Sequence, residues 1–405
     1  MKKLIIAIFV LIIIFPSCKK KKEKNSQPYL VIWSLDGFRW DYPKTATTPT
    51  LDSLKKAGVI AESLKPSFPT KTFPNHYTLA TGLYPDHHGI VLNSFYAPDL
   101  EKSYSIRDRE SIANGSFYGG EPIWVTAEKQ NLKAATLFWV GATAEIKGTR
   151  PSFWSYYDES MPFDSRINSI FKWLSLPEQN RPHLIMAYYH EPDLSGHIFG
   201  PESTETVAKV EELDHYLNLF FTKLRKLDIY NQINFIITSD HGMNPISLDK
   251  RIILDQIIDT ADLAYWDGGN PNYNIKVKDG MLNEVYDALV SGQQNYSVWK
   301  HEELPDRLHY GNNIRTHDIT IVANEGWSVY WSWNDPHSLG THGYDNDLKD
   351  MHAIFYAAGS AFKEGYVHPT FENVNVYVLM TEILGLSPAQ TDGALENVQQ
   401  MLIIN

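Results

Sequence analysis

The chain has 405 residues, 43% of them hydrophobic and 21% charged, with a formal net charge of −12 at pH 7. This balance excludes a disordered chain and fits one large α/β domain or two ordinary ones. The negative surplus excludes long nucleic acid as a partner of the general surface, but admits a small phosphate compound whose charge is cancelled locally by cations.

The chain opens on Met1-Lys2-Lys3 and an apolar run over residues 4–15. That run is too short to span a bilayer comfortably and has the length of a signal-peptide core. Cys18, the only cysteine, follows Pro16-Ser17. Its setting resembles a bacterial lipoprotein processing site, at which Cys18 becomes the lipidated first residue. Ordinary cleavage with Cys18 discarded is the alternative. The expectation is a lipoprotein-type signal peptide over 1–18, a basic tether over 19–27 and a single catalytic domain over 28–405. The protein would then be exported in a bacterium, periplasmic or on the cell surface, and would meet the membrane only through its lipid anchor. The folded part would hold no disulfide.

Residues 29–34 predict a buried strand that ends at Leu35-Asp36-Gly37. Residues 51–57 predict a helix stopped by Gly58, and 74–80 another with Pro74 in its first turn. Further strands are predicted at 134–139, 183–188 and 233–238, and helices at 164–174 and 203–224. Roughly 255–333 reads as a small mixed α/β insertion. A late strand at 353–357 and a helix at 373–384 close the chain. Such alternation implies an α/β fold, with a mostly parallel central sheet and helices on both faces. Ligands then bind beyond the carboxyl ends of the strands.

The residues with chemistry fall at those ends. Asp36 closes the first strand. Asp193 and His197 are four apart, which puts them on one side of a helical turn. Asp240-His241 follow the 233–238 strand, where adjacent side chains can diverge toward two metals. His342 sits in a turn beside Gly343. Each has a bland reading alone: an Asp-Gly after a strand is commonly only a turn. Together, three Asp and three His exceed what one metal requires, and two cations a few ångströms apart would share them. Thr72 precedes Phe73-Pro74 at a predicted helix start, where free N–H groups and the helix dipole suit a phosphate. It reads either as a nucleophile, activated by a metal or base, or merely as the helix N-cap.

Five segments carry a resemblance: Lys71-Thr72-Phe73-Pro74-Asn75, Ala80-Thr81-Gly82-Leu83-Tyr84-Pro85, Glu191-Pro192-Asp193 through Pro201, Asp240-His241-Gly242 and His342-Gly343-Tyr344-Asp345-Asn346. From Tyr29 onward the sequence resembles the nucleotide pyrophosphatase/phosphodiesterase family, within the alkaline-phosphatase-like superfamily. The resemblance implies an alkaline-phosphatase-like fold and two Zn2+ ions. One would be held by Asp193, His197 and His342, the other by Asp36, Asp240, His241 and the Thr72 oxygen. It implies that Asn93 donates a hydrogen bond to a phosphate oxygen, and that Phe73, Tyr157 and Tyr188 stack a nucleobase, for which core packing is the bland alternative. The implied reaction cleaves phosphodiester or pyrophosphate bonds of small nucleotides through a phosphothreonine, releasing nucleoside 5'-monophosphates, in a monomer. A choline- or lipid-headgroup phosphodiesterase and a phosphate monoesterase are alternatives on the same metals. A non-catalytic binding lipoprotein is the alternative of a different class. Ser94, Ala97 and Trp139-Val140-Gly141-Ala142 depart from the family's usual residues. These positions bear on substrate preference rather than reaction class.

Overall fold

The computed structural model describes residues 27–334 and 337–403. The expected signal peptide, Cys18 and all of the tether except Gln27 lie outside the described residues.

Residues 29–35 are apolar at almost every position because both faces of this strand are covered. They form β1 (Tyr29–Leu35), near the middle of a seven-stranded sheet. Successive side chains point to opposite faces. Leu30 and Ile32 enter one core layer, while Val31, Trp33 and Leu35 enter the other. The remaining strands of this sheet are β2 (Gly58–Ala61), β3 (Ala134–Leu137), β4 (Leu184–Tyr189) and β5 (Ile233–Thr238). After an insertion with β6 (Leu263–Gly269), β7 (Asn272–Val277), β8 (Tyr296–Lys300) and β9 (Ile319–Ala323) come β10 (Phe355–Ala358) and β11 (Tyr366–His368). The main sheet runs β11-β2-β10-β5-β1-β4-β3. β1 is parallel to β4 and β5, β3 to β4 and β11 to β2; only β10 opposes its neighbours. The mostly parallel sheet expected from the sequence is present.

Helices cover both faces. In chain order they include α1 (Pro49–Ala57), α2 (Thr72–Thr81), α3 (Phe163–Leu174), α4 (Asp193–Phe199), α5 (Thr204–Leu224), α6 (Leu282–Ser291) and α7 (Asn375–Leu384). α2 and α7 contribute Tyr77, Leu79, Val376 and Leu379 to the layer of Leu30 and Ile32. α3 and α5 bury Phe163, Ile167 and Ile170, with Val210, Leu213, Leu217 and Leu224, in the layer of Trp33. The three- and four-residue spacings in α5 make one apolar stripe. Ser203 begins that helix as its N-cap, accepting from the Thr206 amide, one place before the first helical residue. Leu217 is fully buried, so its truncation to alanine is expected to cost about 2–5 kcal/mol.

The insertion is an antiparallel sheet in the order β6-β7-β9-β8, with α6 and a core of its own that includes Ile275, Leu289, Ile319 and Ile321. β2 and β11 were not foreseen. They are four and three residues long, and β2 follows α1 with no intervening turn residue. Gly58 does more than stop α1. A Cβ there would collide with the Ala357 carbonyl of β10, so the close pairing of β2 and β10 needs glycine.

Candidate metal centre

Strand register gathers the site. Leu35 pairs with Tyr189 and Ser34 with Thr238, so β1, β4 and β5 end side by side. Asp36, Asp193 and Asp240-His241 issue from these three ends. α4 starts at Asp193, where the Glu191 carboxylate accepts from the Ser195 amide in the first turn. Asp193 and His197 therefore share one helix face, as their spacing predicts. The Asp193 N–H donates to the Asp36 carbonyl at 2.9 Å. Gly37 has φ +65°, and a Cβ on it would press against Asp193, so only glycine lets the two segments approach.

Two groups of three ligand residues result: Asp36, Asp240 and His241, and Asp193, His197 and His342. Within each group, one ligand atom per residue lies within 4.8 Å of the others. The rings of His241 and His342 stack at 3.6 Å, which sets the groups side by side. Asp240 and His241 lie beyond the end of β5, and their side chains converge on one group. The divergence that a strand end permits does not occur, and both residues fall in the one group that the family resemblance implies for them. Asp240 Oδ1 accepts from the Gly37 amide and the Ser239 hydroxyl, both at 3.2 Å, which turns Oδ2 toward His241 Nε2 at 3.1 Å.

The donor set fits cations. Asp36 Oδ1, Asp193 Oδ1 and Asp240 Oδ2 are buried and accept no hydrogen bond. Partnerless buried carboxylate oxygens are costly unless a cation faces them. The histidines are prepared in the same sense. Nδ1 of His241, His197 and His342 lies 2.8 Å from the carbonyls of Gly242, Gly340 and Thr70. A carbonyl only accepts, so each Nδ1 carries the proton and each Nε2 offers its lone pair. Ligating histidines are oriented in this way.

The electrostatics show like charges crowded together: three carboxylates face one another, and Asp240 outweighs burial to raise His241 toward its charged form. Burial, then the carboxylates of Asp240 and Asp193, hold the Asp36 carboxyl well above the usual range. Burial would raise Asp240 also, but the His241 and His76 rings outweigh it and pull that carboxyl well below. Burial, then His241, Lys71 and His197, depress His342, which favours its neutral ligating form. Burial also lowers the Lys71 ammonium to about 7, against the pull of Asp193. Its Nζ donates to the carbonyls of Asn270 and His342, both at 2.8 Å, and so ties the insertion to the His342 loop.

Thr72 is the first residue of α2, and the N-cap is Lys71. The Thr72 hydroxyl therefore does not cap the helix. It stands 3.2 Å from His241 Nε2. Asn93 Oδ1 accepts from the Phe73 amide at 2.9 Å, which leaves Nδ2 as the donor of that side chain. Asn93 and His197 both line a cavity of about 360 Å3, with Lys71, Ser94, Asn270 and Tyr330 among the other walls. The three expected base-stacking residues do not form one ring cluster. Tyr157 stands edge-on to Tyr188 at 5.9 Å, whereas the ring paired with Phe73 is Tyr104, at 6.3 Å. The Tyr188 hydroxyl donates to Asp36 Oδ2 at 2.6 Å, so this residue also orients a carboxylate.

Sequence reasoning missed His76. It is fully buried, four residues beyond Thr72 in α2. Its Nδ1 faces the Thr72 carbonyl at 2.9 Å and Asp240 Oδ2 at 3.2 Å, while Nε2 meets the Ser34 hydroxyl at 2.8 Å. The four-residue spacing from Thr72 was the available signal.

A family model described as type I phosphodiesterase / nucleotide pyrophosphatase matches residues 30–345. The chain is 36% identical over 386 residues to a venom phosphodiesterase of Crotalus durissus collilineatus, covering 93% of this chain and 46% of that protein. It is also 36% identical over 389 residues to ectonucleotide pyrophosphatase/phosphodiesterase family member 1 of Homo sapiens, covering 93% and 42%. The chain thus spans about half the length of these relatives. Murine ectonucleotide pyrophosphatase/phosphodiesterase 5 is similar in structure, with a TM-score of 0.89, 36% identity and coverage of 93% of this chain and 100% of that one. An inactive form of that murine protein, with one threonine replaced by alanine, is known in complex with AMP at the same TM-score. The fold is alkaline-phosphatase-like, and the chain belongs to the type I phosphodiesterase / nucleotide pyrophosphatase family.

Proposed function

We propose that the protein hydrolyses phosphodiester or pyrophosphate bonds of small nucleotides at a two-zinc centre, through a covalent phosphothreonine on Thr72, and releases nucleoside 5'-monophosphates. One observation carries this reading: two adjacent groups of Asp and His, with partnerless buried carboxylate oxygens, lie beside the Thr72 hydroxyl. The mixed imidazole and carboxylate donors suit zinc. Asp36, Asp240, His241 and Thr72 Oγ1 would hold one ion, and Asp193, His197 and His342 the other. Bound there, the ions supply Lewis acidity and offset the phosphate charge.

The chain's own residues do the rest. Thr72 Oγ1 forms a bond to phosphorus as the bond to the leaving oxygen breaks. The hydroxyl proton passes to water, and the leaving group takes one from solvent. Water then cleaves the phosphothreonine and returns Thr72 to its starting state. Asn93 Nδ2 presents a donor to the phosphate oxygens, beside the positive dipole end of α2. AMP in the complex of the inactive murine relative is a molecule of the proposed product class, which supports the nucleotide assignment. The N-terminal segment extends the proposal to an exported, lipid-anchored bacterial protein, for which mass spectrometry of the mature N-terminus tests acylation of Cys18.

The test of function is a comparison of a nucleotide aryl diester, an aryl monophosphate and an aryl phosphocholine, with zinc analysis of the same preparation. Preference for the nucleotide ester and about two zinc ions per chain are expected. Preference for the monophosphate overturns the diesterase reading, and preference for phosphocholine replaces the substrate class.

A further inference from the structure

Arg166, on α3, is fully buried and pairs with no carboxylate among the described residues. A buried guanidinium is costly unless its donors are satisfied. Carbonyl oxygens satisfy them here. Nε donates to Met161 at 2.9 Å, Nη1 to Tyr188 at 3.0 Å, and Nη2 to Asp158 and Glu159 at 3.2 and 3.4 Å. Three aromatic rings surround the fork: its central carbon lies 4.7 Å from the centre of Tyr189, 4.8 Å from Phe138 and 5.9 Å from Tyr157.

These bonds join two pieces of chain that nothing regular connects. One is the end of β4 at Tyr188. The other is residues 158–161, within a stretch from 154 to 162 that forms neither helix nor strand. Tyr157 immediately precedes the second piece. Its half-exposed ring stands edge-on to Tyr188 and, at 5.4 Å, to Phe138. A planar fork with several fixed donors holds such a strap in one place, which the single point charge of lysine does not.

We propose that Arg166 is a positioning residue that sets the Tyr157–Tyr188 wall against which the nucleobase stacks, and so confers preference for base-bearing diesters without touching substrate. The proposal rests on the nucleotide reading above. It separates two effects that a general loss of structure would merge, because an ester without a base gains nothing from the wall.

The test uses the full chain with zinc bound. Arg166→Lys and Arg166→Met are compared with the parent and with Tyr157→Ala on two substrates with the same leaving group, thymidine 5'-monophosphate p-nitrophenyl ester and methyl p-nitrophenyl phosphate. KM for the nucleotide ester is expected to rise by about tenfold, the scale of one lost base–aromatic stack, with kcat little changed. Activity on the base-free ester is expected to stay within about twofold. Arg166→Met is expected to add little to Tyr157→Ala in the double variant, because both act through one ring. Equal losses on both esters, an unchanged KM, or additive effects overturn the proposal. Failure of both Arg166 variants to fold also overturns it, since Arg166 would then hold the domain rather than the wall. If the parent protein does not cleave the nucleotide ester, the functional reading fails instead, and the two failures are distinct.

Discussion

The two ligand groups are built differently. Asp36, Asp240 and His241 sit at the ends of the central strands, with side chains 4%, 0% and 0% exposed. Asp193, His197 and His342 come from a short helix and a late loop, and are 17%, 31% and 6% exposed. The inner group is held by the sheet and by other side chains: Tyr188 on Asp36, Ser239 and His76 on Asp240. The outer group is oriented chiefly by backbone carbonyls that receive its histidine protons. An inner ligand is therefore part of the core, whereas an outer ligand is closer to an attachment. Chemistry and stability are expected to be joined at the first and separable at the second.

The sharpest probe is Thr72→Ala. Turnover of a nucleotide aryl ester is expected to fall on the order of a thousandfold or more, since a lost nucleophile is not replaced by neighbours. Zinc content measured alongside should stay near its starting value. Residual activity of a tenth would sink the nucleophile assignment. Next is the contrast between Asp240→Ala and His197→Ala. The inner substitution leaves His76 and His241 buried without their carboxylate, and is expected to cost about 3 kcal/mol of stability as well as metal. The outer one should lower zinc content while moving the melting temperature little. Equal melting shifts would erase the distinction between the groups.

His76→Ala removes a group that faces Asp240 without being a proposed ligand. Zinc affinity, read by chelator competition, is expected to drop about ten- to a hundredfold. An unchanged affinity would leave His76 as packing alone. The pH dependence of affinity tests the inner group again. Asp36 must be ionised to ligate, and its carboxyl is raised well above the ordinary range. Protons therefore compete with the ion, and affinity should fall as pH is lowered through that raised value, by about tenfold per unit below it. Affinity that does not change with pH would contradict the burial of Asp36. Tyr188→Phe should have the smallest effect, about 1.5 kcal/mol in zinc binding, because it removes the single hydrogen bond to Asp36 Oδ2 while leaving Oδ1 facing the ion.

Much of this was legible in the sequence, for identifiable reasons. A doubly covered strand must be apolar throughout, so β1 and β5 stood out. Asp193 and His197 advertise a helix face by their spacing. What stayed hidden depended on tertiary register. Whether Asp240 and His241 diverge or converge is decided by how Ser239 and Gly37 grip one carboxylate oxygen. Whether Thr72 caps its helix turns on a one-residue shift in where α2 begins. His76 reads as an unremarked core histidine until Asp240 is brought to it from some 160 residues away. Arg166 is hidden further still, because its partners are carbonyl oxygens, which any sequence supplies. The strands β2 and β11 escaped notice because they are short and gain their stability from neighbours rather than from their own pattern.

The contact between Gly37 and Asp193 has a consequence for engineering. The two ligand groups are gauged against each other by one backbone hydrogen bond and one missing methyl group. Position 37 can thus alter the span between the two binding points without exchanging any ligand residue, because a Cβ there would press on Asp193, its Oδ1 included. A single added carbon there tests whether the reaction tolerates a longer stride, a question that exchanging ligands cannot put.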